Sequence, residues 1–259
     1  MEMFGNIELG LRYTSRAQQV RMISEDWITR YAYCLKCDSD KLSPTTANTR
    51  TRDFVCQRCN HGYELKSKRG AFSTKVLDGA YGAMMQTIRE GRTPTFLLLE
   101  YSASWSILRL RAIHHSLITE SAIQPRKPLA ATAQRAGWIG CNIVLPAIAV
   151  QGQIPLVLEG LSCIKSESRE AFARLEKLSA LSTVNRTWAA TILRLASQLT
   201  SADFSLQDMY KFESELQLLF PANRHIRPKI RQQLQVLRNA GVLTFLGEGR
   251  YRFYTHENT

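Results

Sequence analysis

The sequence predicts a mixed α/β (α+β) chain, a larger α/β body over residues 1–183 followed by a smaller unit of helices and a hairpin over 184–259. Three observations carry that prediction. Hydrophobic residues fill 44% and charged residues 22% of the 259 positions, the balance of a packed globular protein rather than a disordered one. The first two thirds of the chain set short β-forming runs, such as Thr95–Tyr101, beside stretches of helical composition. After Ser179–Asn185, which is rich in Ser, Thr and Asn, the apolar residues recur at helical spacing until two short β-rich arms close the chain.

The longest candidate apolar runs, Phe96–Leu99 and Ile143–Val150, fall far short of the roughly 20 residues a membrane helix needs. The first residues, Met1–Asn6, have neither the basic nor the apolar region of a signal peptide. A soluble, cytoplasmic protein with no membrane partner is therefore expected. Its formal net charge is +12, and the surplus is shared: 24 basic against 16 acidic residues up to position 185, and 10 against 6 beyond it. A solvated basic face is the plain reading of such a surplus. Two positive bodies suit two contacts with nucleic acid better, because each neutralised phosphate releases counterions.

Four of the six cysteines stand as Cys34-Leu-Lys-Cys37 and Cys56-Gln-Arg-Cys59, a C-x2-C-x18-C-x2-C pattern. Each turn aims two thiolates at one point, and two such turns complete a tetrahedron, so Cys34, Cys37, Cys56 and Cys59 are expected to hold structural Zn²⁺. Disulfides and a redox pair are the alternatives. A reducing cytosol disfavours the first, and redox motifs rarely come in matched pairs. His61 could replace one ligand, or it is an exposed loop histidine. Cys141 and Cys163 read as small buried side chains, and His114 and His115 as surface or loop residues.

The stretch from Arg52 to Lys66 reads as a hairpin whose tip is the second cysteine pair. With a side-chain period of two, Glu64 and Lys66 share one face while Tyr63 and Leu65 point away, and Asp53 can reach the Glu64 face from the opposite arm. Two carboxylates suit a hard ion such as Mg²⁺, and the ammonium can steady negative charge developing at phosphorus. Asp53, Glu64 and Lys66 are therefore the candidate catalytic residues, with Asp53 and Glu64 as Mg²⁺ ligands. An exposed ion pair is the competing reading of Glu64 and Lys66. Lys68 and Arg69 follow as candidate phosphate contacts. Asp78–Met85 reads as helix despite two glycines, with Met84 and Met85 packed in the core.

The D-x10-E-x-K pattern resembles the PD-(D/E)xK nuclease superfamily. More specifically, the chain resembles the DpnI-type methyl-directed restriction endonucleases. The similar blocks are Glu25-Asp26-Trp27, Cys34-x-x-Cys37, Asp53-Phe54, Glu64–Lys68, Asp78–Tyr81, Arg126–Ala130, Arg135–Asn142, Asp208–Tyr210 and Lys229–Gln235. They follow one order along most of the chain; segments 102–122 and 143–185 match poorly. The resemblance implies a PD-(D/E)xK core with an embedded four-cysteine zinc site and a C-terminal winged helix. It also implies a divalent-metal-dependent endonuclease that cuts double-stranded DNA at G-A-T-C when the adenine carries an N6-methyl group. Asp53, Glu64 and Lys66 are carried over as catalytic, and the four cysteines as zinc ligands.

A reader of N6-methyladenine gains by offering an apolar wall to the extra methyl in the major groove. Trp138, in a Gly-flanked loop with Arg135 beside it, is the candidate wall; core packing is the competing reading. In the C-terminal unit, Ser205-x-x-Asp208 reads as a capping box for a helix through Phe220. The next helix runs from about Ile226 to Asn239 and stops at Gly241. It sets Ile226, Ile230, Leu234 and Leu237 on one face and Gln232 and Gln235 on the other. Glutamines flanked by Arg227, Lys229 and Arg231 suit adenine edges and phosphates. A closing hairpin with Arg250 and Arg252 completes a winged helix. A protein-interaction module of the same fold is the alternative there.

The expected whole is a methyladenine-dependent endonuclease acting as a monomer, with a transient dimer as the alternative state. The competing functions are a non-enzymatic zinc-containing DNA-binding regulator, and a related nuclease that reads another modification.

Overall fold

In the computed structural model, residues 2–46, 52–199, 201 and 203–254 are described. Helix α1 (Arg16–Tyr31) buries Ile23, Trp27 and Ile28 on one stripe, and the Trp27 indole donates to the carbonyl of Glu2 at 3.0 Å. A loop carrying the first cysteine pair leads to β1 (Ser43–Pro44), β2 (Phe54–Val55) and β3 (Gly62–Arg69). The pairing of Phe54 with Tyr63 and of Val55 with Gly62 makes β2 and β3 the expected hairpin.

The chain leaves β3 through β4 (Lys75–Ala80) and α2 (Tyr81–Arg89), then returns as β5 (Thr95–Tyr101), parallel to β3 from Tyr63–Thr95 to Arg69–Tyr101. All seven residues of β5 are buried, as befits a strand covered on both faces. Strands β6 (Ile107–Ile113), β7 (Ile123–Pro125), β8 (Gly140–Val144), β9 (Gln153–Leu158) and β10 (Leu161–Ser162) follow, then α3 (Lys165–Glu176). The large sheet has the order β1-β2-β3-β5-β6-β9-β10, and β4, β8 and β7 form a small antiparallel sheet beside it.

One expectation changes here. Residues Asp78–Ala80 are strand, not helix: Asp78 pairs with Cys141 in β8, and the helix begins only at Tyr81. Pairing with a strand about sixty residues away outweighs local composition, and Gly79 weakens any helix across the junction. Met84 and Met85 are buried as expected.

In the C-terminal unit, α4 (Thr183–Ala196) is capped by Ser182, whose hydroxyl accepts from the Asn185 N–H. Then come β11 (Asp203–Ser205), α5 (Leu206–Tyr210), α6 (Glu213–Leu219), α7 (Ile226–Ala240), β12 (Leu243–Gly247) and β13 (Arg250–Phe253). The capping box of Ser205 and Asp208 is present. The single helix expected through Phe220 is instead two, because the chain turns at Lys211–Phe212 so that both pieces pack on α7. The four apolar residues of α7 are buried, and Gly241 ends it in the left-handed region (φ 80°). The closing hairpin gains a third strand, in the order β11-β13-β12. This unit docks on the larger body through α4, where Arg186 donates to the carbonyl of Ile88. Among the described residues, no helix is long and apolar enough to cross a membrane.

Candidate active site and metal centre

The two cysteine turns meet. Cys34 and Cys37 close the loop after α1, and Cys56 and Cys59 form the tip of the β2–β3 hairpin. The four sulfurs lie within 4.8 Å of one another, with Cys34–Cys59 and Cys37–Cys56 both at 3.5 Å. A tetrahedron with metal–sulfur bonds of about 2.3 Å has edges of about 3.8 Å, so donor set and spacing fit a closed four-thiolate site.

The surroundings favour a thiolate at Cys56, whereas burial raises Cys34 and Cys59, as it does for thiols that have no cation beside them. Burial pushes the Cys56 thiol up, but the backbone N–H groups of Cys59 and Arg58 outweigh it and draw the group down to about 6. The hydroxyl of Tyr63 accepts from the Leu35 N–H at 2.9 Å and stands 3.3 Å from Cys34 Sγ, where its proton can serve a thiolate. Arg169 of α3 donates to the carbonyl of Cys34 and pins the first turn.

The same hairpin carries the acidic group. Lys66 Nζ donates to Glu64 Oε1 at 2.6 Å, which places both side chains on one face of β3. Asp53, on the residue before β2, donates its N–H to the carbonyl of Tyr63 at 2.8 Å, and its Oδ2 accepts from the Leu65 N–H at 2.7 Å. Its carboxylate is thus fastened to the backbone beside Glu64. A third carboxylate joins from β4: Asp78 Oδ1 accepts from Lys66 Nζ at 2.5 Å, and the Asp78 side chain is only 4% exposed.

Burial pushes Glu64 up to about 7; Lys66 pulls the other way, and Asp78 adds to the rise. Burial would lower the Lys66 ammonium, but Glu64 and Asp78 outweigh it and hold the group above an ordinary lysine. Lys66 is therefore a fixed cation and a poor proton acceptor. A cluster with more negative charge than one ammonium can neutralise, and with a carboxyl that gives up its proton near neutrality, suits a divalent cation.

A second cluster has the look of a metal site and the protonation of something else. His114, His115 and Glu176 also bring their ligand atoms within 4.8 Å. Against the expectation of surface residues, His114 is fully buried, stacked on His115 and packed against Phe172. Its Nδ1 accepts from the Ser116 N–H at 3.1 Å, so the ring proton sits on Nε2, facing Glu176 Oε2 at 3.5 Å. An Nε2 that carries a proton offers no lone pair to a metal. Glu176 also takes Lys36 Nζ at 2.7 Å, so the cluster ties the first cysteine turn to α3. His61, expected on an exposed loop, is half-buried in the same group, with Nε2 2.8 Å from Thr95 Oγ1. Cys141 is buried as expected, whereas Cys163 is only partly so.

Trp138 is half-buried in the loop between β7 and β8. Its N–H donates to the Arg135 carbonyl, its carbonyl accepts from Leu129, and the Arg135 guanidinium lies 4.9 Å from the ring centre. Its ring covers Gly140, where any Cβ would meet it at 2.8 Å. On α7, Gln232 and Gln235 are exposed on the side away from the core. The basic candidates around them have partners within the chain: Arg227 with Glu213, Lys229 with Asn185 and Gln232, Arg231 with the Tyr210 hydroxyl. Arg250 and Arg252 both face Asp203, Arg252 through two bonds. Lys68 and Arg69 are exposed beyond the acidic group.

Sequence reasoning passed over Asp78. Its signal is the alternation of β4, where Val76 is buried, Leu77 is 64% exposed and Asp78 turns inward again; a carboxylate on the buried side of a strand needs a cation.

Two family models match the chain. The model of the Dam-replacing (DpnI) family covers residues 1–181, and that of the Dam-replacing HTH domain covers residues 184–253.

Proposed function

As the chain belongs to the Dam-replacing (DpnI) family, we propose that it is a divalent-metal-dependent restriction endonuclease with a helix-turn-helix DNA-binding domain. Its substrate is double-stranded DNA at G-A-T-C sites bearing N6-methyladenine, and its core is of the PD-(D/E)xK type. The observation that supports this reading is the Lys66–Glu64 pair on one arm of the hairpin, with the Asp53 carboxylate from the other arm held on the Leu65 N–H between them in sequence.

Asp53 and Glu64 would hold Mg²⁺, which supplies Lewis-acid polarisation of the scissile phosphodiester. Lys66, kept protonated by its carboxylate neighbours, offers its positive charge to the oxygens that gain negative charge as phosphorus is attacked. It acts as an electrostatic stabiliser and not as a base. Lys68 and Arg69 lead away from this point and bind the backbone of the cut strand. Cys34, Cys37, Cys56 and Cys59 would hold structural Zn²⁺, which fixes the hairpin.

The base is read in two places. Trp138, with Arg135 at its face, supplies the apolar wall for the methyl group. On α7, Gln232 and Gln235 face the major groove. Arg227, Lys229, Arg231, Arg250 and Arg252 exchange their partners within the chain for phosphates.

The test is a digest of adenine-methylated and unmethylated plasmid with Mg²⁺ and without it, followed by mapping of the ends. Cutting of the methylated plasmid alone, and only with Mg²⁺, supports the reading. Binding without cutting would instead favour a non-catalytic DNA-binding regulator, and cutting elsewhere a nuclease for another modification.

A further inference from the structure

We infer that Asp78 is a positioning residue for Lys66, the group that keeps the ammonium aimed at the scissile phosphate once Glu64 has engaged a cation. The inference rests on the endonuclease reading and extends it to a residue in another sheet.

The Lys66 ammonium has three protons to place. One goes to Glu64 Oε1 at 2.6 Å and one to Asp78 Oδ1 at 2.5 Å, while Nζ lies 5.8 Å from the centre of the Phe96 ring. If Glu64 were to hold a cation, its hold on Lys66 would weaken, and the anchor left to the ammonium would be Asp78. Asp78 suits the task because its backbone is anchored apart from the hairpin. It stands on β4, paired with Cys141 of β8, outside the large sheet that carries Glu64 and Lys66. Its side chain is 4% exposed against 20% for Lys66, so the contact is shielded from water. With Asp78 in place the ammonium is held from β4 whatever Glu64 does. Without it, a four-carbon stem is free to swing.

The experiment compares D78N, D78E, K66A and D78N/K66A in the full-length protein, by single-turnover cleavage of methylated plasmid over a Mg²⁺ series. A misplaced reacting group costs up to about 100-fold, so D78N is expected to slow cleavage by about that factor. Its Mg²⁺ midpoint and DNA affinity should stay unchanged, and D78E should recover part of the rate. In the K66A background the same substitution should change the rate less than about threefold, since the residue it positions is already gone. Equal losses in both backgrounds, or a D78N rate near that of the unaltered protein, would overturn the inference. A large rise in the Mg²⁺ midpoint would overturn it too and make Asp78 a metal ligand.

A second readout needs no cleavage. Labelling of Lys66 by an amine-specific reagent, followed by mass spectrometry, should rise at least about fivefold in D78N, because the clamped ammonium is a poor nucleophile. Unchanged labelling sinks the contact itself. Increased labelling in a protein that cuts no DNA sinks the endonuclease reading and leaves the contact standing.

Discussion

Replacing Glu64 by glutamine should make the protein's stability less dependent on pH, by an amount the structure sets. The side chain is 14% exposed, and burial pushes its carboxyl from an ordinary value near 4.5 to about 7. Between those values the folded chain holds a proton that the unfolded chain has released. Unfolding free energy therefore falls as pH rises through this window. At about 1.4 kcal/mol for each tenfold change in proton affinity, the group removes roughly 3 kcal/mol between about pH 4.5 and pH 7.

The glutamine variant lacks this term. Near pH 5 it should differ little from the unaltered protein, and by about pH 8 it should have gained roughly 3 kcal/mol on it. Urea unfolding of both proteins in matched buffers checks this, each pair compared at one pH so that other titrations cancel. Chelators must be left out, since they would strip the thiolate site. Added Mg²⁺ should narrow the difference near pH 8 by binding the proposed site in the unaltered protein. A difference that stays constant from about pH 5 to pH 8 within about 0.5 kcal/mol would refute the account of Glu64 as a desolvated carboxyl.

The other expectations concern separate parts of the molecule. Cys59→Ser should lower bound zinc from one ion per chain to none, measured by elemental analysis of the purified protein, and full zinc occupancy in the variant would count against the four-thiolate site. Trp138→Ala should reduce the preference for methylated over unmethylated duplex about fivefold per methyl, the worth of about 1 kcal/mol of buried methyl, and an unchanged ratio of binding constants would remove Trp138 from the reader. Arg250→Ala should lower the slope of log affinity against log salt by about 1 if that side chain neutralises a phosphate, which titrations at several salt concentrations will show. Gly241→Ala should destabilise the C-terminal unit by about 1 kcal/mol, because the left-handed end of α7 admits a Cβ only at a strain; an unchanged melting curve would contradict that.

What the sequence made legible is what depends on local spacing. Two cysteine turns, a hairpin between them and a period of two on β3 were enough to bring Glu64 beside Lys66. The one-sided burial of Ile226, Ile230, Leu234 and Leu237 followed from a period of about 3.6. The features that escaped are those settled by distant partners. Asp78 looked helical because its neighbours are helix formers, and it became strand only because β8 supplies hydrogen bonds to it. His114 reads as a surface residue because a histidine has no fixed habitat; the Ser116 N–H and hydroxyl that serve its Nδ1, and the Phe172 ring packed against it, lie in a turn and a helix invisible to periodicity. The break at Lys211–Phe212 likewise answers to the surface of α7 and to no signal within the segment.

The cysteine cluster and the acidic group share one hairpin and are linked through it. Strand β2 is two residues long and lies between β1 and β3 in the large sheet, so few ladder bonds hold it. Closure at the tip by Cys56 and Cys59 against Cys34 and Cys37 would add a further hold, and the link inward is Tyr63. Its hydroxyl meets Cys34 Sγ and the Leu35 N–H, and its carbonyl accepts the Asp53 N–H. The next two residues are Glu64 and Leu65, and the Leu65 N–H holds the Asp53 carboxylate. A change at the sulfurs therefore reaches the Asp53 carboxylate through one buried side chain, one backbone bond and the Leu65 N–H, and reaches Glu64 as the next residue along β3. Burial of Phe54 and Tyr63 and the pairing of β2 with β1 and of β3 with β5 specify the register, and a closed four-thiolate tip would add a second hold on the same two strands.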